Sequence, residues 1–256
     1  MRLKIQMSDM KEGGKRIAHG IQKEYKVSII TVIRNAESFI DRFITNTSNY
    51  CNEDVELVIL DGNSTDSSLE LLHSYNDKID YWRSEPDKGI YDAMNNAIKY
   101  AKGKWLYFLG VDDYILPGFP KAIDLLADAN TVYYGKVIIW GEIVGRPLKR
   151  YDLIKVILCH QSIFYPKFLF DSYQYKTEYV VSADHLLNIM SFTDKRFKWK
   201  FIDQLIAIFD TRGHSAQNVD HKFEKDQYRY IRQYLGFGTY ARYAFRKLKQ
   251  TYRKTK

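Results

Sequence analysis

Residues 84–118 read SEPDKGIYDAMNNAIKYAKGKWLYFLGVDDYILPG, and the order of signals in this stretch decides the fold. Pro86, Asp87 and Gly89 break a preceding strand. Tyr91, Met94, Ile98 and Ala101 then recur at helical spacing, and Gly103 stands where a helix C-terminus takes left-handed backbone. The spacing predicts a helix of about three turns. Trp105 to Leu109 is an apolar, aromatic-rich run too short for a helix, which predicts a strand covered on both faces. Gly110 ends it, and Asp112 and Asp113 follow at its carboxyl end, the edge where open α/β sheets bind ligands. Two adjacent carboxylates repel each other. Either they lie on a solvated loop, or a hard divalent cation such as Mg²⁺ or Mn²⁺ draws them together.

Outward from this stretch the same alternation recurs. Lys26 to Ile33 (KVSIITVI) is a buried first strand ended by Arg34 and Asn35, and Phe39, Ile40, Phe43, Ile44 and Thr47 share one helical face after it. Val55 to Leu60 (VELVIL) is a second strand, followed by the loop DGNSTDSS and a helix carrying Leu69, Leu72 and Tyr75; Ile79 to Arg83 is a third. Strand, helix, strand in this rhythm predicts an α/β fold with a parallel, doubly wound sheet. Asp66 or Ser67 accounts for capping of the helix after the second strand, which leaves Asp61 free to accept a hydrogen bond from a ribose hydroxyl or a base edge. No Gly-x-Gly-x-x-Gly follows the first strand and no Walker lysine loop is present. Farther on, Thr131 to Trp140 predicts a strand leading into a hairpin, and CHQSIFYPK (159–167) another strand with His160 and Gln161 at its start. Ser182 can cap a helix whose first turn holds Asp184, and Leu205 to Asp210 is a last strand before TRGHSAQ.

The 256 residues, 45% hydrophobic, suffice for one large α/β domain with an appendage. No apolar run reaches bilayer length and the N-terminus lacks the apolar core of a secretory signal, so a soluble cytoplasmic protein is expected. Cys51 and Cys159 have no ligand or redox spacing. The formal charge of +8 is unevenly placed: residues 221–256 carry eleven Lys or Arg against Glu224 and Asp226, leaving the rest of the chain nearly neutral. The chain therefore divides into an extension with little structure of its own (1–25), a domain (26–220) and a basic aromatic tail (221–256). In the tail, Tyr240, Tyr243, Ala244 and Leu248 fall on one helical face while Arg242, Arg246, Lys249 and Arg253 fill the others. That pattern suits the anionic surface of a membrane, to which the protein would be peripheral, or else a solvated helix packed on the domain. No nucleic-acid module accompanies the charge, and no nucleic-acid partner is expected.

Taken in register, TVIRNAE, LVILDGNSTDSS, SEPDKGIYDAMNNAI and YFLGVDD resemble the family 2 glycosyltransferases of GT-A fold, in particular bacterial polysaccharide-assembly members similar to the colanic acid and amylovoran transferases. The resemblance covers residues 26 to about 215. It implies an inverting, metal-dependent transfer from a nucleotide-sugar donor, UDP-linked, to a saccharide carried on a polyprenyl diphosphate. By the same match Thr31, Arg34 and Asn35 lie beside the nucleotide, Asp61 contacts base or ribose, and Asp87 and Gly89 shape the floor under the donor. The Asp-x-Asp position reads Val111-Asp112-Asp113, its first member not acidic. Asp112 is expected to face ribose or sugar and Asp113 to bind Mn²⁺ or Mg²⁺. His160 and Gln161 are implied near donor or acceptor, Asp184 as general base and His214 as a third metal ligand, while Asp92 and Asn95 are divided between ligand contact and helix capping. Two other readings remain at this level: a sugar-nucleotide nucleotidyltransferase, which would show a glycine-rich loop with a basic residue after the first strand, and a non-catalytic basic module for membranes or nucleic acid.

Overall fold

The computed structural model describes residues 11–156, 158–212 and 218–254. Strands β2 (Tyr25–Ile33), β3 (Val55–Asp61), β4 (Tyr81–Ser84) and β5 (Gly103–Phe108) pair in parallel in the spatial order β4-β3-β2-β5. Every residue of β3 is buried, Glu56 and Asp61 along with its apolar side chains, as befits a central strand with helices on both sides. Helices α2 (Glu37–Thr47), α3 (Ser68–Ser74) and α4 (Ile90–Tyr100) make the connections. The chain steps from β2 outward to β3 and β4, then returns to β5 on the other flank of β2. Loops leaving β2 and β5 therefore diverge, and a crevice opens between their carboxyl ends. Beyond β5 the sheet is mixed. Strand β9 (Ile163–Pro166) runs antiparallel to β5, and β7 (Thr131–Ile139) antiparallel to β9. Strand β10 (Lys198–Ile208) lies parallel to β7, and the short β6 (Tyr114–Ile115) closes the edge. The expected hairpin forms between β7 and β8 (Glu142–Val144). The parallel character thus belongs to the first half, and the sheet carries helices on its faces, including α5 (Gly118–Asp124) and α6 (Ala183–Thr193).

Gly103 does not end α4 in left-handed backbone. Ala101 leaves the helix directly into extended conformation (φ −68°, ψ 136°), and Gly103 opens β5. Its amide donates to Ser28 Oγ at 2.7 Å, and a Cβ there would fall 2.3 Å from the Ser28 nitrogen, so glycine is required for strand approach and not for a turn.

The leading residues are more structured than their composition suggests. Strand β1 (Glu12–Gly13) adds antiparallel to β4, and helix α1 (Lys15–Ala18) follows. Arg16 Nη1 pairs at 3.1 Å with Glu56 Oε2, a carboxylate with no solvent exposure, and Lys15 pairs at 2.9 Å with buried Asp80. Glu56 also accepts from Ser28 Oγ and the Lys102 amide, so Arg16 is the cation that, among the described residues, pairs with Glu56 in a buried network. Arg16→Ala is expected to cost about 3 kcal/mol in urea denaturation, because it strands a buried charge, whereas the double variant Arg16→Met with Glu56→Gln recovers most of the loss. Equal losses in the single and double variants would contradict this account.

The tail is likewise docked as far as its middle. Phe223 and Tyr230 of helix α7 (His221–Tyr230) are buried, and Tyr179 Oη donates to Asp226 at 2.8 Å. After a widened turn over Ile231–Leu235 and Gly236 in left-handed backbone (φ 83°), helix α8 (Phe237–Lys254) begins. Tyr243 packs into a cluster with Leu153, Ile154, Ile189, Ile231 and Leu235. Leu248, expected on the Tyr243 face, is 70% exposed. The two residues are five apart, so they lie well around the helix from each other.

Candidate active site

The loops leaving β2 and β3 are joined side chain to backbone. Asn35 and Asn63 both adopt left-handed backbone (φ 51° and 57°), a conformation in which asparagine is enriched. Ser64 Oγ bonds the Asp61 carboxylate and accepts from the Asn35 amide at 2.7 Å, while Asn35 Oδ1 accepts from the Thr65 amide at 2.8 Å. Asp66 takes the Glu37 and Ser68 amides, so it, and not Ser67, satisfies the start of α3. Asp61 is 1% exposed, with Ser84 Oγ on its other oxygen at 2.6 Å. Its carboxylate holds the loop in place. Asp87 lies across this loop, since a Cβ on Gly62 would meet Asp87 Oδ2 at 2.2 Å, and its Oδ1 accepts from the Gly89 amide. Arg34 is exposed at the crevice edge, whereas Thr31 has no exposure at all. Thr31 therefore lies inside the sheet and does not line the crevice as expected.

Across the crevice, Asp112 Oδ1 and Asp113 Oδ2 both lie over the Cα of Gly110, within 2.6 and 2.7 Å of where a Cβ would stand. Their surroundings differ. Asp113 is 1% exposed; its Oδ2 accepts from Gln161 Nε2 at 2.7 Å and from the Gly110 amide at 2.9 Å, and its Oδ1 from the Asp210 amide at 2.8 Å. Burial, then the Asp112 charge, pushes its carboxyl up to about 6. Asp112 is only partly buried and is raised as well, by burial first and then by Asp210. Arg42, laid over the Tyr114 ring at 4.6 Å, donates to the Asp112 carbonyl and so fixes the backbone of the pair. The two carboxylates thus differ in access: Asp113, expected as the metal ligand, is enclosed by three donors, and Asp112 presents the more accessible carboxylate.

Among the described residues no three His, Cys, Asp or Glu converge as a metal cage. A hard cation that takes one or two carboxylates and draws its remaining ligands from phosphates and water still fits, because two carboxylates share the Gly110 cradle, where burial first, and then a neighbouring carboxylate charge, raises each of them. His214 lies outside the described residues.

The raised carboxyl of Asp113 has a stability consequence. A group favoured protonated in the folded state adds stability at low pH, and that contribution fades as pH rises from about 4 to about 6. In EDTA, the stability of the native protein relative to Asp113→Asn is therefore expected to rise by roughly 2 kcal/mol between pH 7.5 and pH 4.5. Parallel pH profiles in urea denaturation would exclude it.

Asp184 sits in the first turn of α6, 7% exposed, with no side-chain cap from Ser182. Its Oδ1 accepts from Tyr91 Oη at 3.2 Å and from the His185 amide at 2.7 Å, and its Oδ2 faces His160 Nδ1 at 3.3 Å. His160 and Gln161 are adjacent in one helical turn, whose carbonyl at Gln161 accepts from buried Tyr107 Oη at 2.7 Å. One dipeptide thus touches Asp184 with its first side chain and Asp113 with its second. His185 points elsewhere, fully buried against Phe223, and burial lowers its basicity. Asn95 exchanges two hydrogen bonds with the Tyr175 backbone and Asp92 accepts from the Lys88 amide, so both have structural occupations. Sequence reasoning did not single out Tyr91, Arg42 or Asp210. Tyr91 carried a signal, since a tyrosine on a buried helical face needs a hydroxyl partner.

Residues 28–197 match the sequence profile described as Glycosyl transferase family 2. The chain is 30% identical over 217 residues to a PGL/p-HBAD biosynthesis glycosyltransferase of Mycobacterium tuberculosis, covering 77% of this chain and 82% of that protein. It is 35% identical over 96 residues to a poly(ribitol-phosphate) beta-glucosyltransferase of Bacillus spizizenii, covering 35% of this chain and 15% of the relative. In fold it is similar to S. aureus TarS 1-349 in complex with UDP-GlcNAc (TM-score 0.64, 19% identity, 81% of this chain and 65% of that one). It is similar also to the mannosyltransferase PcManGT of Pyrobaculum calidifontis with GDP-Man and Mn²⁺ (TM-score 0.58, 16% identity, 83% and 64%). The chain spans just under two thirds of the length of these solved chains.

Proposed function

The chain belongs to glycosyl transferase family 2, and from that premise we propose that it transfers a sugar, with inversion, from a UDP-sugar to a saccharide acceptor in the building of a cell-surface glycan. The observation that supports this reading is the His160-Gln161 link, which joins the Asp184 carboxylate to the paired carboxylates over Gly110 through one dipeptide. The donor diphosphate lies in the crevice between the carboxyl ends of β2 and β5, beside exposed Arg34. Asp112, the more exposed of the pair, would hold a Mn²⁺ or Mg²⁺, and the neighbouring Asp113 carboxylate would add negative charge to the site. When bound, such a cation neutralises charge on the departing diphosphate. Asp184 Oδ2 takes the proton of the acceptor hydroxyl as that oxygen bonds the anomeric carbon, and the bond from that carbon to phosphate breaks with its electron pair leaving on the nucleoside diphosphate. Tyr91 and the His185 amide hold Oδ1 so that Oδ2 keeps its orientation. Attack on the face opposite the leaving group gives inversion. The acceptor saccharide is lipid-linked and met at the inner face of a membrane.

Thermal-shift titration with UDP-, GDP- and dTDP-sugars, with and without Mn²⁺, tests the donor. A UDP-sugar raising the melting temperature only when the cation is present is expected, by mass action on the native state. No response to any of them would overturn the reading, and proton NMR of product formed from a matched acceptor reports the anomeric outcome.

A further inference from the structure

The face of α8 turned away from Tyr243 carries an apolar stripe that no described residue covers. Phe237, Phe245 and Leu248 are each 70% exposed, and at positions i, i+8 and i+11 they lie on one side of the helix. Large apolar side chains repeated in this way on a solvent face mark an interface. Arg242, Arg246 and Lys249 run beside the stripe. With Tyr151, Lys155 and Phe245 they line a groove of about 470 Å³. None of these four cations forms an ion pair with a described residue; Lys155 and Arg242 instead rest on the Tyr151 ring at 4.3 and 5.9 Å. The sequence contains no Asp or Glu after Asp226.

We propose that this face docks on an anionic lipid surface, with Phe245 and Leu248 entering the boundary between headgroups and acyl chains and Lys155, Arg242, Arg246 and Lys249 engaging lipid phosphates. An apolar stripe flanked on one side by cations is the pattern of a helix lying in a membrane interface. Charge decides against a second copy of the chain as occupant, since two such faces would bring like charges together. The docked helix also reaches the chemistry. Tyr243 on its inner side packs with Ile189 of α6, and Ile189 lies about 7.5 Å along that helix from Asp184. Lipid docking therefore sets the base-bearing helix at a fixed height above the surface. On the proposed transferase reading, that is where a lipid-linked acceptor presents its hydroxyl.

Co-sedimentation of the full chain with phosphatidylglycerol/phosphatidylcholine vesicles, against pure phosphatidylcholine, tests the proposal. Binding to the anionic vesicles alone is expected, weakened on the order of a hundredfold in Arg242→Gln/Arg246→Gln/Lys249→Gln and at least about tenfold in Phe245→Ser/Leu248→Ser. Unchanged melting temperatures show that both variants fold. Equal binding to neutral vesicles, no binding, undiminished binding by the stripe variant, or a dimer in light scattering that the stripe variant abolishes would overturn it. The melting-temperature response to UDP-sugars is measured on the same samples without lipid, so failure of the lipid face and failure of the transferase reading are told apart.

Discussion

Asp184→Asn is expected to lower the turnover of sugar transfer by about a thousandfold while leaving the melting-temperature response to donor and Mn²⁺ unchanged. The substitution keeps an oxygen for Tyr91 Oη and the His185 amide, which both donate to Oδ1, so the local geometry at the start of α6 survives. What it removes is the proton acceptor at Oδ2, the oxygen facing His160. A general base contributes roughly 10²–10⁴ in rate. A structural role would show differently, as a fall in stability with turnover lost only in proportion. Tyr91→Phe serves as the companion variant, because it loosens Asp184 without removing the base and should cost no more than about tenfold. Turnover of Asp184→Asn within tenfold of the native enzyme, measured by release of nucleoside diphosphate, would remove Asp184 from the mechanism.

The second large effect concerns the carboxylate pair, and its sign separates Asp112 from Asp113. Asp112→Asn deletes the accessible charge, so the Mn²⁺-dependent response to nucleotide should vanish and turnover fall at least about a hundredfold. In the absence of cation the same variant should melt no lower than the native protein, because the Asp112 charge is one of the causes that raise the Asp113 carboxyl and its loss relieves that repulsion. Asp113→Asn should do the reverse in part. An Asn amide group set against the Gln161, Gly110 or Asp210 donors leaves one of them opposed, so the fold suffers even without ligand. A cation response retained in Asp112→Asn and lost in a stably folded Asp113→Asn would restore the expected assignment of the metal to Asp113.

Much of the fold could be read from local pattern. The apolar runs at 26–33, 55–60 and 105–109 became β2, β3 and β5, and the helical spacing from Tyr91 became α4. Aspartates 61 and 112 stand out locally because each lies at the carboxyl end of a strand, whereas Asp184, which opens a helix and is explained there by the helix dipole, stands out only through the family resemblance. Gly103 suits a turn or a close strand approach equally well by local pattern, and only the Ser28 backbone opposite distinguishes them. The leading segment was underestimated for a related reason: Arg16 matters through Glu56, a residue 40 positions away.

The sequence by itself determined the strand–helix alternation from β2 to β5 and that Asp61, Asp112 and Asp113 gather at strand ends, because hydrophobic periodicity and turn chemistry act over a few residues. Tertiary structure alone decided which carboxylate of the 112–113 pair is open, since the partners that close Asp113 come from Gln161 and Asp210, 48 and 97 residues on. It decided equally which face of α8 is free, since Leu153, Ile154 and Ile189 claim Tyr243 and leave Phe245 and Leu248 outside. Adjacent residues of one type are equivalent to a local pattern. Burial and hydrogen bonding by distant segments make them different.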